Sequence, residues 1–332
     1  MEFLRCEGGV MCACHSRRQP RRRDGVPAEA FCPDQYCVMT AMPRPHHGMA
    51  TISASMAEAS RGRSTVMSQT FLVFDSGLGG LTVLREIVAA RPDAHIVYVG
   101  DDAFFPYGGR PEATLVARIV PLMGELIERH RPDVVVIACN TASVQVLPHL
   151  RAHYTLPFVG TVPAIKPACA ASRSKRVSVL GTEATVAREY TRRLIRDFAR
   201  DCAVTLVGSR RLAGLAEAHL HGQSIADAEI AAEIAPCFVE EDGMRTDTVV
   251  LACTHYPLLL DTLHRLAPWP VTWVDPAPAI ARRLIDLAGP ADEGAAGGRV
   301  EAVFTSGKHP DAMLAAGLAR FGIDASAYAA AN

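Results

Sequence analysis

From Phe71 onward, short β-branched runs alternate with amphipathic stretches at helical spacing. That pattern belongs to α/β architecture with parallel strands. Phe71–Phe74 reads as a buried strand, followed by Asp75-Ser76-Gly77-Leu78-Gly79-Gly80 and a helix through Ala90, which Pro92 stops. Further strands are predicted at His95–Val99, Val134–Ala138, Phe158–Val159, Val177–Leu180, Val204–Val207, Thr248–Ala252 and Val271–Val274. Helices are predicted over Glu112–Arg129, Thr185–Ala199, Ile225–Glu240 and Leu258–Leu266. In open α/β sheets, sites form at the carboxyl ends of strands, so the residues just after each strand carry the functional information.

Residues 1–66 show no such period. They hold nine Arg, no Lys, five Pro and six of the ten Met. The run Arg17-Arg18-Gln19-Pro20-Arg21-Arg22-Arg23 has the composition of a basic address or nucleic-acid arm. An unstructured extension, or one created by starting translation too far upstream of Met67, explains the segment more simply. Cys12-Ala13-Cys14-His15 lacks the Cys-x₂-Cys zinc spacing. The expected division is therefore an extension over 1–67, then a folded body.

Composition narrows the class of that body. At 332 residues and 49% hydrophobic, the chain has enough apolar material for more than one core. Its formal net charge is −1, with no dense basic stripe in the body, so nucleic acid is not an implied partner. No uncharged apolar run approaches the ~20 residues a membrane helix needs, and a cytoplasmic location is expected. The later cysteines (Cys139, Cys169, Cys202, Cys237, Cys253) then read as reduced thiols rather than a disulfide frame.

Two segments align without a gap: Asp133-Val-Val-Val-Ile-Ala-Cys139-Asn140-Thr141 and Asp247-Thr-Val-Val-Leu-Ala-Cys253-Thr254-His255. Each runs from an acidic residue through a strand to Ala, Cys and polar groups. This suggests two similarly built halves, each with a cysteine at a strand's carboxyl end. Facing each other, two thiols suit inversion of a carbon stereocentre, which needs proton removal on one face and delivery on the other. Cysteine fits that task because its free pKa, about 8.5, can be brought near neutral by polar neighbours. A single such cysteine would be read as a small core residue. Cys169, Cys202 and Cys237 lack polar flanks and keep that reading. Considered separately, Asp75 could simply cap the following helix, Tyr107 could be turn packing, His255 a structural histidine, and Glu217 a solvated helix residue. The Gly77/Gly79/Gly80 spacing fits neither G-x-G-x-x-G nor the P-loop, so phosphate binding is not inferred.

At these residues the chain resembles the bacterial glutamate racemases of the cofactor-independent aspartate/glutamate racemase family. The similarity lies in Phe74-Asp75-Ser76-Gly77-Leu78-Gly79-Gly80-Leu81-Thr82-Val83-Leu84, Pro106-Tyr107-Gly108, Ala138-Cys139-Asn140-Thr141-Ala142 and Ala252-Cys253-Thr254-His255-Tyr256-Pro257. It runs from about residue 70 to about 325. The resemblance implies two pseudo-symmetric open-sheet α/β domains with the active site in the cleft between them. The first would take 68–164 plus 273–332, and the second 165–272. It implies Cys139 and Cys253 as the acid–base pair, with Cys139 serving D-glutamate and Cys253 L-glutamate. Asp75, His255 and Glu217 would assist proton transfer. Asp75, Ser76, Tyr107, Gly108, Asn140, Thr141, Thr254 and His255 would bind substrate, with no cofactor and no metal. Departures occur around Glu217, where the usual Cys-Pro is missing upstream, and at Ala184 in Gly181–Thr185, where the family often has Gly. The implied role is supply of D-glutamate for peptidoglycan. Assembly is left open between monomer and homodimer.

Three other readings compete with this one. A pyridoxal-phosphate racemase needs a Schiff-base lysine, and the chain has only Lys166, Lys175 and Lys308, none at a convincing strand end. A related thiol racemase acting on aspartate or a hydantoin would use the same chemistry. A carboxylate-binding module with spent cysteines would not need to keep both thiols with their polar flanks.

Overall fold

The computed structural model describes residues 68–291, 297–323 and 328–330. The expectations for the N-terminal extension therefore lie outside the described residues. Among the described residues there are twelve strands: β1 Thr70–Asp75, β2 His95–Gly100, β3 Val134–Ile137, β4 Phe158–Gly160, β5 Arg176–Thr182, β6 Ala203–Ser209, β7 Glu240–Glu241, β8 Met244–Arg245, β9 Thr248–Ala252, β10 Thr272–Val274, β11 Arg299–Phe304 and β12 Tyr328–Ala330. They form a six-stranded sheet, β12-β11-β2-β1-β3-β4, a four-stranded sheet, β10-β9-β5-β6, and the small hairpin β7-β8. Pairing within both larger sheets is parallel throughout.

The fold comprises two α/β domains, and the sheets expose their kinship. The order β2-β1-β3-β4 in one is matched by β6-β5-β9-β10 in the other. Phe71 pairs with Val134 and Val177 with Thr248, so the aligned segments occupy equivalent strands, β3 and β9, in equivalent register. Their acidic residues have parallel duties at the sheet's amino end. Asp133 accepts a hydrogen bond from the Thr70 backbone N–H at 2.8 Å, and Asp247 accepts from those of Arg173 and Ser174 at 2.7 and 2.8 Å. Each carboxylate thus ties down the approach to the neighbouring strand, and each strand then runs on to deliver its cysteine at the far end.

Helices cover both faces of each sheet, so strand residues are buried on both sides, as parallel sheets require. Phe71 and Val73 enter one core with Leu81 and Leu84, while Leu72 and Phe74 enter the opposite core with Leu115 and Ile119. In the second domain Val249 and Leu251 face one core, and Val250 and Ala252 the other. Full burial of such side chains stabilises by roughly 1.5–3 kcal/mol each. Runs of them anchor the strand ends, and so the site.

The expected helix over Thr185–Ala199 is two helices, Glu183–Val186 and Glu189–Phe198, with Arg188 extended between them (φ −71°, ψ 140°). The break has local causes: Thr191 Oγ1 takes the Thr185 carbonyl at 2.7 Å, and Arg188 turns away to Glu112 and Gln145. Likewise the helix expected to reach Glu240 ends at Ile234, followed by a 3₁₀ turn containing Pro236. No helix among the described residues is long and apolar enough to cross a membrane.

Candidate active site

The carboxyl ends of β1, β3, β5 and β9 converge on one small cavity. Its lining includes Ser76, Tyr107, Gly108, Cys139, Asn140, Thr141, Cys253, Thr254 and His255 from the sequence reading, joined by Phe105, Pro106, Thr182 and Ala213. Asp75 and Glu217 stand just behind that lining, bonded to residues in it. The cavity measures about 20 Å³. That is room for one water and less than an amino acid occupies. A second, larger cavity of about 660 Å³ lies near Arg85, Arg265 and Arg320 and is lined by neither thiol.

Cys139 follows β3 and caps the short helix Asn140–Gln145, its Sγ accepting from the Ala142 N–H at 3.5 Å. The thiol points to Ser76 Oγ at 3.7 Å. Polar neighbours alone predicted a thiol near neutrality; the structure gives the opposite. Burial, reinforced by the nearby Asp75 carboxyl, pushes Cys139 up to about 12, outweighing the opposing hydrogen bonds from Ala142 and Ser76.

Asp75 is fully buried at the end of β1. It does not cap the following helix, whose N-cap is Gly80 without a side-chain bond. Its carboxylate instead accepts from the Gly77 N–H and the Thr254 hydroxyl, both at 3.0 Å. Burial raises its pKa, and His255 partly offsets the rise. Asp75 and Thr254 come from different domains, so this bond also closes the cleft.

On the other side, Cys253 Sγ lies 3.9 Å from His255 Nδ1, and His255 Nε2 lies 2.6 Å from Glu217 Oε2. Nε2 also sits 3.2 Å from the Gly79 N–H. One ring nitrogen cannot donate to the carboxylate and accept from the amide at once. The shorter, charge-assisted contact to Glu217 places a proton on Nε2. Burial by itself would depress the His255 pKa; Glu217 and Cys253 together reverse that and hold it well above its ordinary value. The result is a thiol–imidazole–carboxylate line running from the cavity toward the helix Leu212–Leu220, where Glu217 also accepts from the Leu78 N–H at 3.2 Å.

The glycine loop after β1 now has a physical reason that is not phosphate binding. A Cβ at Gly79 would lie 2.3 Å from His255 Nδ1, one at Gly80 2.6 Å from Asp75 Cβ, and one at Gly77 2.9 Å from Glu217 Oε1. Only backbone fits against these three groups. Gly108 is similar, since its Cβ would meet Thr182 at 2.9 Å.

The amide of Asn140 is buried, and neither its nitrogen nor its oxygen has a partner within the protein. A buried amide with both ends unpaired is costly unless a ligand satisfies it. Tyr107 is positioned differently. Its side chain packs in the first domain's core, and its hydroxyl donates to Asp101 at 2.6 Å. Thr141 joins Thr182 and Thr185 in a triangle of hydroxyls 2.9–3.3 Å apart, bridging the two domains. Thr182 entered the sequence reading only within the segment Gly181–Thr185, and Phe105 not at all. Thr182 sits at a strand's carboxyl end, which was the available signal; Phe105 offered only its place beside Pro106-Tyr107.

Known proteins place the chain in a racemase family. A family model described as Asp/Glu/hydantoin racemase matches residues 76–284. The glutamate racemase of Brucella anthropi is 56% identical over 255 residues, covering 76% of this chain and 91% of that protein. The glutamate racemase of Sinorhizobium fredii is 55% identical over 251 residues, covering 75% and 93%. Among solved structures, the Escherichia coli glutamate racemase in complex with L-glutamate and the activator UDP-MurNAc-Ala superposes with a TM-score of 0.71 at 38% identity, covering 79% of this chain and 97% of that one.

Proposed function

The chain belongs to the Asp/Glu/hydantoin racemase family, and on that footing we propose that it interconverts L- and D-glutamate by passing the α-proton between Cys139 and Cys253. The observation that carries this reading is the pair of buried thiols at equivalent strand ends of two related sheets, lining one cavity. The product D-glutamate serves peptidoglycan synthesis, as in the glutamate racemases it resembles.

L-glutamate gives its α-proton to Cys253, which works with His255 and Glu217; Cys139 delivers a proton to the opposite face. In the reverse direction the roles exchange. The two thiols face unlike surroundings. Cys253 has an imidazole beside it, whereas Cys139 has a buried carboxyl that opposes ionisation. A substrate ammonium bound near Asp75 would supply the missing positive charge and draw the Cys139 thiol back toward ionisation. The unpaired Asn140 amide is suited to a substrate carboxylate, and Ser76, Thr141 and Thr254 add hydroxyl donors around it. Acid–base chemistry of this kind needs neither metal nor cofactor, and a location in the cytoplasm suits a free thiol pair.

Dialysed, chelator-treated protein should racemise L-glutamate in D₂O and place deuterium at Cα of the product. Strict dependence on pyridoxal phosphate or a divalent metal would refute the proposal.

A further inference from the structure

We propose that Phe105 is a positioning residue for the Cys253 half of the reaction, its ring, delivered from the first domain, clamping His255 in line with Cys253 and Glu217. The inference rests on the racemase reading above and assigns a role to a residue outside its acid–base set.

Phe105 belongs in sequence to the loop after β2, yet its side chain packs with the second domain's core. Its ring lies 5.2 Å from the His255 ring, centroid to centroid, tilted by 38°. A Cβ on Gly77 would meet Phe105 Cδ2 at 3.1 Å, so the ring is seated against bare backbone. On the imidazole's own side, Gly79 leaves no spare room, as the 2.3 Å approach shows. The His255 ring is thus confined by two pieces of the first domain, Phe105 and the Gly79 backbone, while its nitrogens address second-domain groups.

The loop that carries Phe105 is itself anchored. Asp101, fully buried at its base, accepts from Arg118 and the hydroxyls of Tyr107 and Thr305, each at 2.6 Å. Farther along, Arg110 lies over the Phe104 ring at 3.7 Å and donates to the Phe104 and Pro106 carbonyls at 3.0 and 3.2 Å. A rigid loop of the first domain therefore presses an aromatic face on a second-domain histidine. Cys139 has no counterpart: its polar contacts, Ser76 and Ala142, both come from its own domain.

Racemisation rates cannot resolve one face from the other. Enantiomers have equal free energy, so the two directions must share one kcat/KM in every variant. Elimination from 3-hydroxyglutamate can resolve them. One thiolate removes the α-proton, hydroxide leaves Cβ and takes a proton from solvent to become water, and the resulting enamine tautomerises and hydrolyses to 2-oxoglutarate and ammonia. Only the thiol facing that enantiomer's α-proton is needed.

The experiment compares the full chain with Phe105→Leu and Phe105→Tyr, using matched 3-hydroxyglutamate enantiomers, with 2-oxoglutarate release as the readout and thermal unfolding as a check on folding. Phe105→Leu should lower elimination from the L-enantiomer at least tenfold and from the D-enantiomer less than threefold. Phe105→Tyr, which keeps the flat face, should restore the L-rate to within threefold of the parent. Equal losses on both enantiomers, an unchanged L-rate, or failure of tyrosine to rescue a folded protein would overturn the assignment. If the unsubstituted chain neither racemises glutamate nor eliminates from either enantiomer, the racemase reading itself fails, whatever Phe105 does.

Discussion

The high pKa of Cys139, about 12, makes a sharp prediction for the chemistry of the free protein. At pH 8 a thiol of ordinary pKa, about 8.5, is roughly 24% thiolate, whereas one at about 12 is roughly 0.01% ionised. The difference is about 2,400-fold in reactive species. A more basic thiolate is also a better nucleophile, with a Brønsted slope of about 0.4–0.5, which returns about 25- to 60-fold. Cys139 should therefore react with a small uncharged aromatic disulfide about 40- to 100-fold more slowly than the same cysteine in denatured protein. Steric shielding can only widen that gap, so the pH slope is the cleaner signature. The rate should climb about tenfold per pH unit from 8 through 10.5 without levelling. Peptide-level mass spectrometry after an acid quench reads Cys139 apart from the other thiols. A plateau near pH 9, or reaction as fast as in the denatured chain at pH 8, would refute the argument that burial and Asp75 dominate this thiol. The sign also bears on stability. A raised pKa means the folded state holds the proton more tightly, so this contribution is intact below about pH 8.5 and is lost as pH climbs toward about 12.

Other consequences follow from the same geometry. Gly79→Ala would drive a methyl group into the His255 ring, 2.3 Å from Nδ1; overpacking of that kind costs about 1–3 kcal/mol, and a thermal melt with a racemisation assay should show reduced stability and activity down at least tenfold. Cys237→Ala removes a buried thiol from the second domain's core, so urea titration should register a loss of about 0.5–3 kcal/mol while kcat stays within twofold. A chain beginning at Met67 should be soluble and keep near-full turnover in the same assay; a folded but inactive product would assign residues 1–66 a part in catalysis.

Much of the site was legible because parallel strands buried on both faces read as unbroken β-branched runs that end abruptly in polar groups. Val134–Ile137 and Thr248–Ala252 stand out for that reason, and with them Cys139 and Cys253. The first domain's far edge was less legible. β11, Arg-Val-Glu-Ala-Val-Phe, is interrupted by charge, and it pairs with β2 across some two hundred residues of chain. The contacts that define the site's electrostatics were beyond any local pattern. Leu78 meets Glu217, and Thr254 meets Asp75, only because two domains fold against each other. The same holds for Cys139. Its flanking Asn140 and Thr141 suggested a softened thiol, but the decisive groups are the full burial of the strand end and a carboxyl from the neighbouring strand. Phe105 was opaque because its partner, His255, lies in the other domain.

The central claim is that two thiols act from opposite faces, and serine substitution tests it most directly. A hydroxyl keeps the shape of the thiol but is a far weaker acid, so racemisation stops in either variant while the surviving thiolate can still begin elimination. With matched 3-hydroxyglutamate enantiomers, Cys139→Ser should release 2-oxoglutarate from the L-enantiomer alone, and Cys253→Ser from the D-enantiomer alone. Equal residual elimination from both enantiomers, or full racemisation by either variant, would contradict the account.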